Sequence, residues 1–354
     1  MRVLQKTIRL AAAAAAACVL CLSSAGTACL AAGDPPDLIS GDHAAAENKP
    51  LEAVSVNDDK AVLPERQEQN QPMPSENETA SATEKYLAQM PEVRNCLQEL
   101  DNNANSVFRK TEPVEADAFS IGTLGGYVLT EQAEYKVREM LSSVYEPGFT
   151  MGFMMLDIHS GRGISFNSDA PYYSASSTKA SFVVSLVAAR PDIIARNITY
   201  LTRITVNSDN NSYYMMEYNY GQDIHKDYAA TAGVRLNLDE GGYALYSTED
   251  LTRLWLANYD YFCTGEEGEQ VGCWFETPVN SAIWSVLGNE YVTRSKSGWI
   301  SGMLYNVSID AGIVYAHDNP YVVVIMSDFP SAVEELQDTV RVLDDIHNEI
   351  VSGS

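Results

Sequence analysis

The chain has 354 residues, of which 45% are hydrophobic, enough to bury a sizeable core in one or two domains. Its formal net charge is −25 and its pI is near 4.4. A field of that sign repels phosphate backbones and anionic lipid, which argues against nucleic acid or a lipid surface as a partner. The acid is uneven: from Asp34 to Asp117 there are 18 Asp/Glu against 7 Lys/Arg.

Residues 1–32 read as an export signal. Arg2, Lys6 and Arg9 give a positive start, and Leu10 to Leu22 is an apolar run too short to span a bilayer. Gly26 and Ala28 suit a signal peptidase cutting before Cys29. Two outcomes stay open: simple secretion, or a membrane tether through lipid on Cys29, although the Leu usual before a lipidated cysteine is missing. Either way the expected location is the cell surface or the extracellular space. Export permits disulfides. Cys263 and Cys273 flank a segment that reads as flexible and are expected to close it as a small loop; Cys96 has no evident partner. No Cys/His spacing suggests a metal site, and no cofactor is expected.

Residues 33–128 read as an acidic, low-complexity tether. Its Pro, Asn, Gln, Ser and Glu cannot bury enough apolar surface to offset the entropy of ordering. Weak helical periodicity near 83–100 (Tyr86, Leu87, Met90, Val93, Leu97, Leu100) interrupts it. The folded domain is expected over 129–354. Thr130 should cap a helix from Glu131 to about Val144. Phe149 to Ile158 reads as a buried strand, with Met151, Met154 and Met155 as strand core, and a Ser160–Gly163 turn leads to a second strand, Ile164 to Asn167. Ser176 to Ala189 reads as a buried helix and Pro191 to Val206 as another. Ser247-Thr248-Glu249-Asp250 is a capping sequence for a helix ending near Tyr261, and Ser281 to Leu287 is a short helix. Strands follow at Tyr291–Ser297, Asn306–Tyr315 and Tyr321–Ser327, the last after an Asp318-Asn319-Pro320 turn. Ser331 to Val351 is a long amphipathic helix. The expectation is an α+β fold: a five-stranded, mainly antiparallel sheet, terminal helices on one face, and a helical lobe inserted between strands.

Three short motifs carry chemistry. Ser176-Ser177-Thr178-Lys179 places a hydroxyl and an amine one helical turn apart, where a desolvated lysine can take the serine's proton. Ser208-Asp209-Asn210 offers a second hydroxyl for proton relay and a carboxamide for an amide ligand. Lys296-Ser297-Gly298 offers positive charge, a carboxylate-binding hydroxyl, and a glycine against which a ligand can lie. Each has a plain alternative taken alone: an exposed helix lysine, a polar turn, a charged strand end. In this order, S-x-x-K, S-D-N and K-[S/T]-G form the signature set of class A β-lactamases and penicillin-binding proteins. Over roughly Glu131 to Ser354 the chain resembles that serine hydrolase superfamily.

The resemblance implies that Ser176 is the acylated nucleophile and Lys179 its base or relay. Ser208, assisted by Lys296, would pass a proton to the departing nitrogen. Asn210 would hold the substrate's amide side chain, Ser297 and Gly298 its carboxylate end, and the backbone N–H groups of Ser176 and Trp299 the oxyanion. Asp310 to Val314 resembles the family's penultimate strand. Two departures matter. Only 32 residues separate Ser176 from Ser208, so the helical lobe should be reduced. Between Asn211 and Tyr246 there is no E-x-x-L-N, the loop whose glutamate activates the deacylating water; Asp239 and Glu240 are the carboxylates nearest in sequence to that role. The implied substrate is a β-lactam or a peptidoglycan stem peptide, and the protein is expected to be a monomer. The alternatives are a D-Ala-D-Ala peptidase with slow β-lactam turnover and a surface-binding protein that has lost turnover. His43, His159, His225, His317 and His347 are expected in linker, turn or exposed helix positions, none as a triad base. The 20 tyrosines are expected to fill core and surface.

Overall fold

The computed structural model describes residues 89–103 and 119–353. The export signal, Cys29 and residues 33–88 lie outside the described residues.

Helix α1 (Pro91–Asn103) comes first, then strand β1 (Gly122–Leu124), helix α2 (Glu131–Tyr145) and strands β2 (Met151–Asp157) and β3 (Gly163–Phe166). A two-residue strand β4 (Tyr172–Tyr173) leads to a 3₁₀ turn, Ala175–Thr178, that runs into α3 (Lys179–Ala189). Helices α4 (Ile194–Asn207), α5 (Asn210–Tyr220) and α6 (Asp223–Thr231) follow, then β5 (Leu245–Tyr246), paired with β4. Helices α7 (Thr248–Phe262), α8 (Glu266–Cys273) and α9 (Ala282–Leu287) precede strands β6 (Val292–Ser301), β7 (Asn306–Ala316) and β8 (Asn319–Ser327), and α10 (Gln337–Ser352) closes the fold.

The main sheet has the order β1-β3-β2-β8-β7-β6, with every neighbouring pair antiparallel. Both faces are covered, so its central strands are apolar at successive positions and their side chains alternate between two cores. Along β8, Val322, Val324 and Met326 enter the core shared with the helical lobe, while Tyr321, Val323 and Ile325 enter the core under α2, α9 and α10. Thr130 caps α2, its hydroxyl accepting from Ala133 N at 3.1 Å, and Ser247 and Asp250 form a reciprocal capping box at α7. The methionines of β2 are buried as expected.

Several expectations are corrected. The sheet has six strands rather than five, because Gly122–Leu124 adds an edge strand to β3. A three-residue Gly-Thr-Leu strand carries no alternation to read. Phe119 is buried in the core under α2, so the domain begins before residue 129. Helix α1 is docked rather than part of a loose tether: Val93, Cys96 and Leu100 are buried in the lobe-side core. Its N-terminus is capped from a distance, the Asp260 carboxylate accepting from Gln89 N and Met90 N at 2.9 and 2.7 Å. Cys263 and Cys273 are thiols, with no disulfide between them; the intervening segment forms α8, which leaves no loop to close. His225 and His347 are buried, not exposed. His225 shares a hydrogen bond with Ser181 Oγ at 2.8 Å, and His347 with the Asp157 carboxylate at 3.1 Å.

Candidate active site

Ser176 lies half-buried in the 3₁₀ turn that opens α3. Ser174 ties the turn down. Its carbonyl accepts from the Ser177 hydroxyl at 2.7 Å and from Ser177 N at 3.1 Å, and its own hydroxyl accepts from Ala244 N at 3.1 Å. Ala175, just before Ser176, sits at φ 43°, a left-handed conformation that costs a non-glycine residue on the order of 1 kcal/mol and is tolerated where surroundings fix it.

Lys179 is fully buried. Its amine donates to Ser208 O at 2.8 Å and to Asn210 Oδ1 at 2.5 Å. Ser208 ends α4 at φ 58°, again left-handed. That bend turns its hydroxyl toward the Lys296 amine, which donates to it at 2.9 Å. Asp209 then caps α5 by accepting from Ser212 N at 2.7 Å, which fixes Asn210 at the helix start. Lys296, also fully buried, gives a second hydrogen bond to Ser297 O at 2.9 Å.

Gly298 closes the arrangement. A methyl placed on it would lie 2.6 Å from Ser177 N, 2.7 Å from Ser174 O and 2.8 Å from Ser176 N. Only a residue without a side chain lets β6 lie against the serine turn. The three motifs therefore meet pairwise: S-x-x-K reaches S-D-N through Lys179, K-S-G reaches S-D-N through Lys296, and K-S-G touches S-x-x-K at Gly298. Ser297 is buried with its hydroxyl 3.4 Å from Val279 O, a weak contact that leaves it able to turn. Trp299 continues β6 opposite Ser308, its ring against the core under α2.

Electrostatics follow from burial. Desolvation lowers the Lys179 amine to about 8, against the pull of Asp209. Burial, with the neighbouring Lys179 charge second, lowers Lys296 to about 7, while the Asp310 carboxylate works the other way. Asp310 is itself raised by burial to about 6, and accepts from Ser281 Oγ at 2.7 Å and Ile283 N at 2.9 Å. Sequence reasoning placed Asp310 only on a strand, yet a carboxylate between Ile309 and Ala311 in a buried strand was a readable sign of a structural or electrostatic duty. Tyr213, whose ring centroid lies 5.5 Å from the Lys179 amine, gave no such sign among the polar and aromatic residues of α5.

The carboxylates considered for deacylation are engaged elsewhere or open to solvent. Asp239 accepts from Gly241 N at 2.9 Å, Tyr243 N at 3.0 Å and Tyr173 OH at 3.1 Å, so it folds its own loop; Glu240 is exposed. A Leu-Asn pair does occur at Leu236-Asn237, but Gly233 stands three positions before it. Gly233 has φ +81°, and a side chain there would start 3.2 Å from Arg253 Nη1. Among the described residues one acid–thiol group, Glu269, Cys273 and Glu276, has ligand atoms within 4.8 Å of one another; Arg294 engages both carboxylates, at 2.5 and 3.1 Å.

Residues 199–351 match the model of the β-lactamase enzyme family. No curated protein matches the sequence. Among solved structures, a β-lactamase from Chitinophaga pinensis is similar at TM-score 0.52 and 14% identity, covering 62% of this chain and 100% of its own. PBP-A is similar at 0.51 and 19%, covering 61% and 96%. A β-lactamase from Sphaerobacter thermophilus is similar at 0.51 and 16%, covering 59% and 94%. At these identities the likeness is one of fold. The fold is that of the β-lactamases and penicillin-binding-protein-like structures it resembles, and the match over residues 199–351 is consistent with that superfamily.

Proposed function

We propose that the chain is an exported serine hydrolase acylated on Ser176 by a β-lactam or a related cell-wall amide. The observation that carries this reading is the convergence of two buried amines on Ser208, Lys179 at its carbonyl and Lys296 at its hydroxyl. Lys179, kept partly neutral by burial, takes the proton of the Ser176 hydroxyl as its oxygen attacks the substrate carbonyl. The N–H groups of Ser176 and Trp299 hold the oxyanion, where one donor is worth about 10²–10³ in rate. The C–N bond then breaks, and the departing nitrogen takes a proton from Ser208, which Lys296 resupplies. Asn210 holds the amide side chain of the substrate, and Ser297, with Gly298 beside it, the carboxylate.

A second reading, a D-Ala-D-Ala peptidase that turns β-lactams over slowly, is favoured by the loop before β5. Asp239 has three donors of its own and Glu240 faces solvent, so neither is placed to activate a deacylating water. The intact Ser176/Lys179 pair argues against a protein that only binds. The test is incubation with a fluorescent penicillin followed by intact mass over time. A lasting adduct that Ser176→Ala abolishes is expected. Rapid loss of label with nitrocefin hydrolysis would make the protein an efficient β-lactamase, and no adduct at high concentration would remove the nucleophile reading.

A further inference from the structure

A cavity of about 360 Å³ opens at the start of β6, where that strand packs on α9 and the turn after it. It lies outside the cleft. None of its lining residues belongs to the three motifs, and Thr293, which lines it, precedes Gly298 by five residues, about 17 Å of strand. Trp284 on α9 forms one side and is 43% exposed. A methyl placed on Gly288 would lie 2.8 Å from Trp284 Cδ1 and 3.0 Å from its Nε1, so the indole folds back over the end of its own helix because residue 288 has no side chain. Val292, 51% exposed, adds a second apolar wall, and Asn289 supplies an exposed amide.

Thr293 is the residue that packing does not explain. It is 2% exposed, and its hydroxyl has no hydrogen-bond partner among the described residues. A buried hydroxyl left unpaired is destabilising, and a valine would fill the same space without that cost. A ligand group that bonds to it accounts for the threonine. Charge narrows the ligand. The Glu276 carboxylate on the lining is engaged by Arg294 at 3.1 Å, and Glu290 is open to solvent. An anion would meet carboxylates, and an ammonium would find only a solvated one. An uncharged ring with hydroxyls on its rim and C–H bonds on its face suits the lining: the polarised C–H groups meet the negative face of the indole, and the hydroxyls pair with amide and threonine. The volume is that of a small-molecule site.

We infer that this cavity is a carbohydrate site that takes a sugar ring of a glycan against Trp284, with Asn289 and Thr293 hydrogen-bonded to its hydroxyls. The site is separate from Ser176 and does not depend on acylation there. Cell-wall glycan and other polysaccharides share this chemistry, and the test distinguishes them.

The full chain is titrated by ligand-observed NMR with chitotriose, an N-acetylglucosamine trimer, and with maltotriose, a glucose trimer. Saturable binding of at least one is expected. Trp284→Ala should weaken it about 10-fold and Thr293→Val about 3- to 10-fold. The Thr293→Val protein should keep or raise its urea midpoint, because the substitution removes an unpaired hydroxyl, so its loss of affinity is not a loss of fold. Chitotriose binding alone, with co-sedimentation on insoluble peptidoglycan that Trp284→Ala abolishes, identifies cell-wall glycan as the ligand; maltotriose binding identifies a site for glucose-type polysaccharide. No saturable binding of either sugar overturns the inference, as does binding that either variant leaves unchanged. Binding of tetramethylammonium in place of both sugars overturns it in favour of a cation site. Ser176→Ala should bind sugar like the parent, so a failure to acylate and a failure to bind sugar are read separately.

Discussion

Two lysines buried beside one serine raise a question of protons. Each amine loses solvation, and the Lys179 charge further opposes that of Lys296, so the site favours shedding a proton near neutrality. Lys179 falls to about 8 chiefly through desolvation. In the proposed role of general base it works only when neutral, so the acylation rate is expected to climb as pH rises through about 8. A rate flat from about pH 6 to 9 would remove Lys179 from that role. Lys179→Arg should abolish the limb along with most of the activity, because a guanidinium keeps its proton at any working pH. Lys296 is the more depressed of the two, at about 7, and Asp310 is what keeps it from falling further. A carboxylate on the substrate would add negative charge and raise Lys296 again, so the relay to Ser208 would regain its proton when a ligand is present.

Elements matter through where they touch, and the closest approach is that of β6 to the 3₁₀ turn. All three atoms that crowd Gly298 belong to the backbone of residues 174–177, so none can swing aside as a flexible side chain would. Gly298→Ala should displace the turn that carries Ser176, the proposed nucleophile. Misplacement of about 1 Å can cost about 10²-fold in rate, and a stopped-flow acylation assay should show a loss of that order; a variant that acylates like the parent would mean that β6 does not position the nucleophile. The elements that sequence made legible are those with strong local signals: the caps at Thr130 and Ser247, the apolar strands β2, β7 and β8, and the motifs that end up within hydrogen-bond reach. What it left dark depended on tertiary partners. Strand β1 pairs with the edge of β3, and α8 is tied down by Arg294, which meets Glu269 within it and Glu276 just after it. Helix α5 lies in a stretch of mixed Tyr, Asn and Met with no clean period. The motif residues were findable because their chemistry is local, whereas Tyr213 and Asp310 act through neighbours that only the fold brings near.

At the scale of the whole molecule, α1 changes what counts as the domain. It precedes the sheet and packs on α7, which in turn packs on α3, the helix that carries Lys179. Its contacts are those of a core element. Leu100 is 1% exposed, Asp260 caps the helix from α7, Glu99 accepts from Gly125 N at 2.8 Å beside β1, and Asp101 pairs with the nearly buried Arg253 at 2.8 Å. If α1 is part of the cooperative unit, Leu100→Ala leaves a cavity between α1 and the rest and costs about 2–5 kcal/mol. That would lower the urea midpoint without changing the slope of the transition. A helix merely resting on the surface would shift it by less than about 0.5 kcal/mol. Cys96 gives an independent check, since its thiol is buried and raised to about 12 by desolvation and nearby carboxylates. It should resist a thiol reagent until the protein unfolds, while exposed Cys263 reacts at once. Should Cys96 label as fast as Cys263 in the native state, α1 opens on its own, and the cooperative domain is the shorter unit that starts near Phe119.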